Sequence, residues 1–252
     1  MAVLLVDIGN TCFKYALLND LQQPVEGLEC LWGLSTDEAM QVLRQAAPSD
    51  LDLLLVSCVG KAEQLASLRA AFAGVVVRVA VVENNWQGFV LGYQTVSNLG
   101  VDRWLAMLAL RSRLRPGELG LIADCGTAVT VEGVSQDRHL GGLIAPGLGL
   151  MARALQRDTA DLPAVDYQQL AGGDWAHSTE EAIAGGCMAS VLGLLERQRR
   201  LLEVHTDGQM ASRVQAFLTG GDAVHLRSHL TGWVLDQHLV LEGLRLWALG
   251  CE

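Results

Sequence analysis

Two short segments carry the same chemistry. Asp7-Ile8-Gly9-Asn10-Thr11 and Asp124-Cys125-Gly126-Thr127-Ala128 each close an apolar run with a carboxylate and a glycine-containing polar turn, and the two aspartates stand 117 positions apart in a chain of 252 residues. Glycine lets the backbone approach a ligand closely, and successive N–H groups in such a turn point at one anion. Polyphosphate suits that concavity. Asn10, Thr11 and Thr127 add amide and hydroxyl groups, and the carboxylates of Asp7 and Asp124 beside phosphate require a cation between them. One copy alone reads better as an ordinary hairpin turn, where Asp, Gly and Asn are common. Two copies at matched positions, with Gly220-Gly221-Asp222 after a third apolar run, favour the phosphate reading. Lys14 and Lys61 are the only lysines, and Lys14, three residues past Thr11, is within reach of a β- or γ-phosphate; its alternative is a solvated surface lysine.

A second constellation is Tyr93 followed by Gly100-Val101-Asp102-Arg103, where a glycine turn opens a helical pattern. An acid and an arginine side by side suit a small substrate with a hydroxyl and a carboxylate: the acid accepts the hydroxyl proton and the guanidinium binds the anionic end bidentately. The alternative is a helix N-terminal Asp favoured by the macrodipole, next to a surface Arg. There is no G-x-x-x-x-G-K-[ST] loop and no G-x-G-x-x-G fingerprint. Arg197-Gln198-Arg199-Arg200 reads as a solvated or subunit-facing stretch of helix, Trp104, Trp233 and Trp247 as core or interface, and Ser178-Thr179 after His177 as a helix N-cap.

Alternating strands and helices must position these groups. Strands are predicted at 2–7, 13–18, 51–58, 75–82, 119–124, 128–134, 139–144 and 214–219. The run 51–58 is largely apolar, as in a strand buried on both faces. Helices are predicted from the capping box Ser35-x-x-Glu38, over 61–72, 101–114, from Gly147 to 157, over 179–202 and over 241–249. The repeated strand–turn–strand, half a chain apart, implies two similar α/β domains facing each other across a cleft, with a boundary near Arg115–Gly117.

Composition sets the frame. Half the residues are hydrophobic and 18% are charged, enough for a sizeable core. The formal charge of −10 argues against nucleic acid or an anionic membrane as the main partner. Ala2–Val6 ends at Asp7 without a basic flank, so it does not read as a signal peptide, and no stretch reaches the ~20 apolar residues of a membrane span. Six scattered cysteines without a C-x-x-C pair fit reduced cytoplasmic thiols.

Taken in order, these motifs resemble type III pantothenate kinases of the acetate/sugar kinase–Hsp70–actin superfamily. Asp7-Ile8-Gly9-Asn10-Thr11-Cys12-Phe13-Lys14 is similar to the family's first phosphate motif, and Asp124–Ala128 to the second. Gly220-Gly221-Asp222 is similar to its adenosine motif and Gly100-Val101-Asp102-Arg103 to its pantothenate motif. Gly141–Gly147, and Ser178-Thr179 with Ala182, Ile183 and Gly185, also fall as in the family, while Val96 stands near a place where the family carries proline. The resemblance implies two ribonuclease H-like or actin-like domains, 1–115 and 116–252, facing across a nucleotide cleft, with the final helix free to pack back on the first. It implies phosphorylation of pantothenate by ATP in a cytoplasmic homodimer, with Mg²⁺ or another divalent cation and K⁺ or NH₄⁺. Asp102 would be the general base. Tyr93, Gly100, Val101 and Arg103 would line the pantothenate pocket, joined by Thr179 of the partner subunit. The first motif, Thr127 and Gly220–Asp222 would bind ATP, and Asp124 the monovalent cation. A kinase of another hydroxyl substrate, or a non-catalytic ATP-binding regulator, could use the same scaffold.

Overall fold

In a computed structural model, which describes residues 2–168, 175–204 and 214–250, the first apolar run forms β1 (Ala2–Ile8) and a tight turn returns the chain as β2 (Cys12–Leu18). β3 (Glu29–Trp32) adds to the outer edge of β2. α1 (Thr36–Ala46) begins at the expected capping box: the Ser35 hydroxyl accepts the Glu38 N–H, and the Glu38 carboxylate accepts the Ser35 N–H at 2.7 Å. β4 (Leu51–Cys58), α2 (Ala62–Ala71) and β5 (Val76–Val79) follow, then the small hairpin β6 (Asn85–Trp86) and β7 (Phe89–Val90), a 3-10 turn at Val96–Asn98, and α3 (Val101–Arg111). The main sheet runs β3-β2-β1-β4-β5, antiparallel on the β2 side of β1 and parallel on the β4 side.

The second half repeats this plan. β8 (Leu119–Cys125), β9 (Ala128–Val134) and β10 (His139–Pro146) form an antiparallel meander, followed by α4 (Leu148–Asp158) and α5 (Thr179–Val204). β11 (Val214–Thr219), the short α6 (Ala223–Arg227) and β12 (Trp233–Leu235) complete a sheet ordered β10-β9-β8-β11-β12, with β8, β11 and β12 parallel. α7 (Leu239–Leu249) is the last helix. The five-stranded order and the switch from antiparallel to parallel are the same in both sheets, which is the duplicated α/β architecture expected from the repeated motif.

The chain divides into two compact units, Met1–Arg113 with Gln237–Glu252, and Leu114–Asp236. Thus α7 groups with the first unit, where it packs on α3. A Cβ at Gly243 of α7 would collide with the Leu105 carbonyl, so the bare glycine sets how closely the two helices approach. Alternation along the strands divides each sheet's faces. In the first unit Leu4, Val6, Ile8, Leu54 and Val56 pack against Leu43 of α1 and Leu68 of α2. Asp7 and Ser57 occupy the opposite face, the side of Leu5 and Leu55. In the second unit Leu121, Ala123, Cys125 and Leu218 pack against Val191 and Leu195 of α5, and Asp124 and Thr219 lie on the opposite face. Burying each of these large side chains contributes about 1.5–3 kcal/mol, enough to hold a few polar groups in place between apolar layers.

Five short elements lay outside the sequence reading: β3, β6, β7, α6 and β12. None is long enough to show a period. The run at 75–82 is a strand only over Val76–Val79.

Candidate active site

In the first unit the β1–β2 turn is closed by the Gly9 N–H donating to the Cys12 carbonyl at 3.1 Å. Asn10 and Thr11 are exposed at its tip, while Cys12 and Phe13 are buried as β2 begins. Lys14 is the register partner of Asp7 and is half-buried, which departs from the solvated-lysine alternative. Asp7 itself is buried, and the Ser57 hydroxyl donates to its Oδ1 at 2.8 Å. Immediately after β4, the N–H groups of Val59 and Gly60 both donate to the Ile8 carbonyl, each at 3.0 Å. That bifurcated contact ties the chain leaving β4 to the phosphate turn.

The same segment reaches the second constellation. A Cβ placed on Gly100 would lie 3.7 Å from Val59 Cγ1 and would collide with the Asp102 carboxylate. Gly100 is the N-cap of α3, so Asp102 sits in its first turn, where the helix dipole favours a carboxylate. Its Oδ1 accepts the Arg103 N–H at 2.8 Å. Arg103 is buried at 8% exposure, and its guanidinium carbon stands 5.5 Å from the centre of the Tyr93 ring. Val101, the first residue of α3, is also buried. The 3-10 turn at Val96–Asn98, closed by the Leu99 N–H on the Val96 carbonyl, links Tyr93 to this corner without a proline. Asp7, Ile8, Gly100, Asp102, Arg103 and Tyr93 therefore belong to one connected corner of the first unit.

The second unit holds a matching corner. Gly126 N–H donates to the Ala128 carbonyl and Gly147 N–H to the Thr127 carbonyl, each at 3.0 Å. A Cβ at Gly147 would strike the carbonyls of Gly126 and Thr127, so the glycine before α4 is what lets that helix start against the turn. The Asp222 N–H donates to the Cys125 carbonyl at 2.8 Å. Gly220, at φ +91°, lies so close to Asp124 Oδ1 and the Cys125 carbonyl that no side chain fits there. The second phosphate turn and Gly220-Gly221-Asp222 are thus one packed cluster. Thr127 is exposed on it and Asp124 half-buried. Thr179 opens α5, with Ser178 as its cap: the Ser178 hydroxyl accepts the Glu181 N–H at 3.1 Å.

Burial shapes the titration of this second corner. It pushes the Asp222 carboxyl above the usual range, opposed by the Tyr167 hydroxyl, the His225 charge and the Gln168 amide. Burial first, and then the bond to Asp222, pushes Tyr167 up to about 12. The thiols are poor nucleophiles. Cys12 is pushed up to about 12 by burial and by Cys30, and Cys125 higher still by burial and the neighbouring Asp124 and Asp222. Cys12, Cys30, Cys58, Cys125 and Cys187 are free; Cys251 lies outside the described residues. Such thiols leave carboxylates, backbone amides and hydroxyls as the working groups.

Among the described residues no cluster of three or more His, Cys, Asp or Glu side chains could hold a metal by itself. Asp124 nevertheless suits one ligand of a weakly held cation. Among the described residues no hydrogen bond or ion pair reaches its carboxylate, and it stands beside backbone carbonyls and a hydroxyl, the oxygen donors that hard cations take. No helix of the described residues is long and apolar enough to cross a membrane.

Three contributors escaped the sequence reading. Ser57 had one signal, a lone hydroxyl within a doubly buried apolar run. Thr219 had another, a hydroxyl directly before the double glycine. Tyr167, in the segment after α4, had none.

Comparison with known proteins adds to this geometry. The sequence model of the family described as type III pantothenate kinase matches residues 3–200. A type III pantothenate kinase from Cupriavidus pinatubonensis is 34% identical over 98% of this chain and 98% of its own. Among solved structures, a Campylobacter jejuni protein assigned to the Baf family of transcriptional activators superposes with a TM-score of 0.61 at 19% identity, covering 98% of this chain and 97% of its own. The activator of 2-hydroxyisocaproyl-CoA dehydratase from Clostridium difficile, solved with bound ADPNP, gives 0.51 at 15% identity, covering 100% and 96%. At these identities the structural likenesses speak to the fold alone.

Proposed function

The chain belongs to the type III pantothenate kinase family, and from that premise we propose that it transfers the γ-phosphoryl group of ATP to pantothenate, giving 4′-phosphopantothenate for coenzyme A biosynthesis. The observation that carries this reading is the connected corner of the first unit. There the phosphate turn, Val59–Gly60 and the Gly100–Arg103 helix start are joined by backbone hydrogen bonds and close packing.

Phosphoryl transfer passes through a loose transition state, so the protein mainly positions groups and offsets charge. The Gly9–Phe13 turn and the Lys14 ammonium hold phosphate oxygens. Asp102 accepts the hydroxyl proton as the phosphoryl group arrives. Arg103, braced against Tyr93, binds the pantothenate carboxylate, and Gly100 leaves room for the Asp102 carboxylate to fold back against the helix start. Thr127 and Gly220–Asp222 contact ATP. Bound cations supply charge neutralisation at the phosphates: Mg²⁺ or another divalent ion with ATP, and K⁺ or NH₄⁺ at Asp124.

We place the enzyme in the cytoplasm, which its free thiols support. We also assign it a homodimeric state in which Thr179 completes the partner's pantothenate pocket. Thr179 is exposed at the start of α5, and beyond the helix's own backbone and adjoining residues no described atom lies within 4 Å of where a Cβ would stand on Gly185, Gly186 or Gly193 of that helix. Such bare glycines suit a close-packed partner helix. The presence of Asp102 favours catalysis over a purely regulatory role, because a nucleotide-binding regulator needs no proton acceptor at that helix start.

Turnover of ATP against a panel of hydroxyl acids and sugars tests the reading. Pantothenate should stand at least tenfold above every other acceptor in kcat/KM; a sugar or another hydroxy acid in first place would move the enzyme to a different substrate.

A further inference from the structure

The two units repeat a device as well as a topology. In the first, Asp7 is the penultimate residue of β1 and its register partner on the parallel neighbour β4 is Ser57. The Ser57 hydroxyl, fully buried, donates to Asp7 Oδ1 at 2.8 Å. In the second, Asp124 is the penultimate residue of β8 and its register partner on the parallel neighbour β11 is Thr219. Strand order, direction and register coincide, so the two hydroxyls stand at equivalent places beside equivalent carboxylates.

The two pairs differ in one respect. Thr219 has no exposed surface, and among the described residues its Oγ1 has no hydrogen-bond partner. An unsatisfied buried hydroxyl opposes folding, and valine, of the same shape, would avoid it. The Asp124 carboxylate is likewise reached by no hydrogen bond among the described residues, and its Oδ1 is folded against Gly220, the residue directly after Thr219. A donor without an acceptor and an acceptor without a donor thus share one register position.

We propose that Thr219 is the positioning residue of Asp124: its hydroxyl donates to one carboxylate oxygen when the other is engaged by a monovalent cation, as Ser57 donates to Asp7. This rests on the reading of Asp124 as the cation-binding carboxylate. Thr219 touches neither substrate nor ion. It fixes the rotamer of the group that does, so the carboxylate meets the cation already oriented. The unloaded protein carries the cost of the unmade bond, and loading repays it.

The test compares Thr219→Val and Thr219→Ser with the wild type in two readouts: the rise in melting temperature on replacing choline by K⁺ at constant ionic strength with ATP present, and the K⁺ concentration giving half-maximal ADP release. Thr219→Val should melt no lower than wild type in choline, should lose most of the K⁺-induced rise, and should need about tenfold more K⁺, the equivalent of one hydrogen bond to a charged group. Thr219→Ser, which keeps the donor, should follow the wild type. If Thr219→Val does not fold, Thr219→Ala carries the same comparison. Wild-type response to K⁺ in the Val or Ala variant overturns the proposal, and so does a wild type whose stability ignores K⁺. A wild type that responds to K⁺ but does not turn over pantothenate would instead count against the substrate reading and leave the stability comparison to decide Thr219.

Discussion

The Tyr167 hydroxyl donates to the Asp222 carboxylate across 2.9 Å, and the Asp222 N–H donates in turn to the Cys125 carbonyl at 2.8 Å. One side chain from the segment after α4 therefore braces the turn that follows β11, and that turn braces the one after β8. Tyr167→Phe removes the donor and leaves the buried carboxylate short of a partner. The KM for ATP should rise about tenfold, the lower end for one lost hydrogen bond to a charged group, with kcat at saturating ATP and the KM for pantothenate little changed. Steady-state kinetics with each substrate varied in turn checks this; equal loss toward both substrates would point to general disruption.

The buried pair on α7 bears on stability. Arg245 donates from Nη2 and Nε to the Glu242 carboxylate at 2.6 and 3.0 Å and from Nη1 to the Leu21 carbonyl, while Glu242 also accepts the Val25 N–H. Burial pushes Glu242 upward, but the bonds from Arg245 and Val25 and the charges of Arg245 and Arg113 outweigh it and hold the carboxyl below its usual range. A depressed folded-state value contributes stability above the unfolded value, lost as pH falls through the folded one. Wild type should therefore lose this contribution in acid, below the ordinary carboxylate range near pH 4.5. Arg245→Met should lose about 3–5 kcal/mol at neutral pH, because it strands a buried charge. Denaturant unfolding at pH 7 and in acid measures both effects.

How far the sequence carried the structure depends on how each feature is encoded. The strand–turn–strand pairs around Asp7 and Asp124 were legible because a carboxylate, a glycine and two β-rich runs fall within one short stretch each, 2–18 and 119–134, and a repeat needs no tertiary information. The α3 start was legible for the same reason, since Gly100, Asp102 and Arg103 are local. Ser57, Thr219 and Tyr167 act through register or through a loop, at sequence distances of 50 from Asp7, 95 from Asp124 and 55 from Asp222. No local pattern encodes such distances. The grouping of α7 with the first unit depends on Gly243 meeting Leu105, a contact that likewise spans most of the chain.

Asp102 and Arg103 should separate cleanly. Asp102→Asn keeps the size of the side chain and an oxygen able to accept the Arg103 N–H, but removes the proton acceptor. A kcat lower by about 10²–10⁴ is expected, the range for losing a positioned base, with ATP binding by calorimetry unchanged. Arg103→Ala removes a group that holds substrate in ground and transition states alike, so its effect should fall chiefly on the KM for pantothenate. Near-normal kcat in Asp102→Asn would transfer the base role to Asp7, the other carboxylate of that corner.

Monovalent cations should be required for turnover. Asp124 stands one residue before the end of its strand, beside a phosphate turn, where a carboxylate facing phosphate is repulsive without a cation between them. Replacing K⁺ by Na⁺ or choline at constant ionic strength should remove most of the rate. Equal rates in the three salts would remove the cation from Asp124.

The most direct measurement is ADP release from ATP by the purified protein in Mg²⁺ and K⁺, with and without pantothenate, and with the acceptor product identified by ³¹P NMR. The expected result is ADP formation that depends on pantothenate and matches, mole for mole, a new phosphate ester on its terminal hydroxyl. Folded, ATP-binding protein that forms no such ester would contradict the assignment of this chain as a pantothenate kinase.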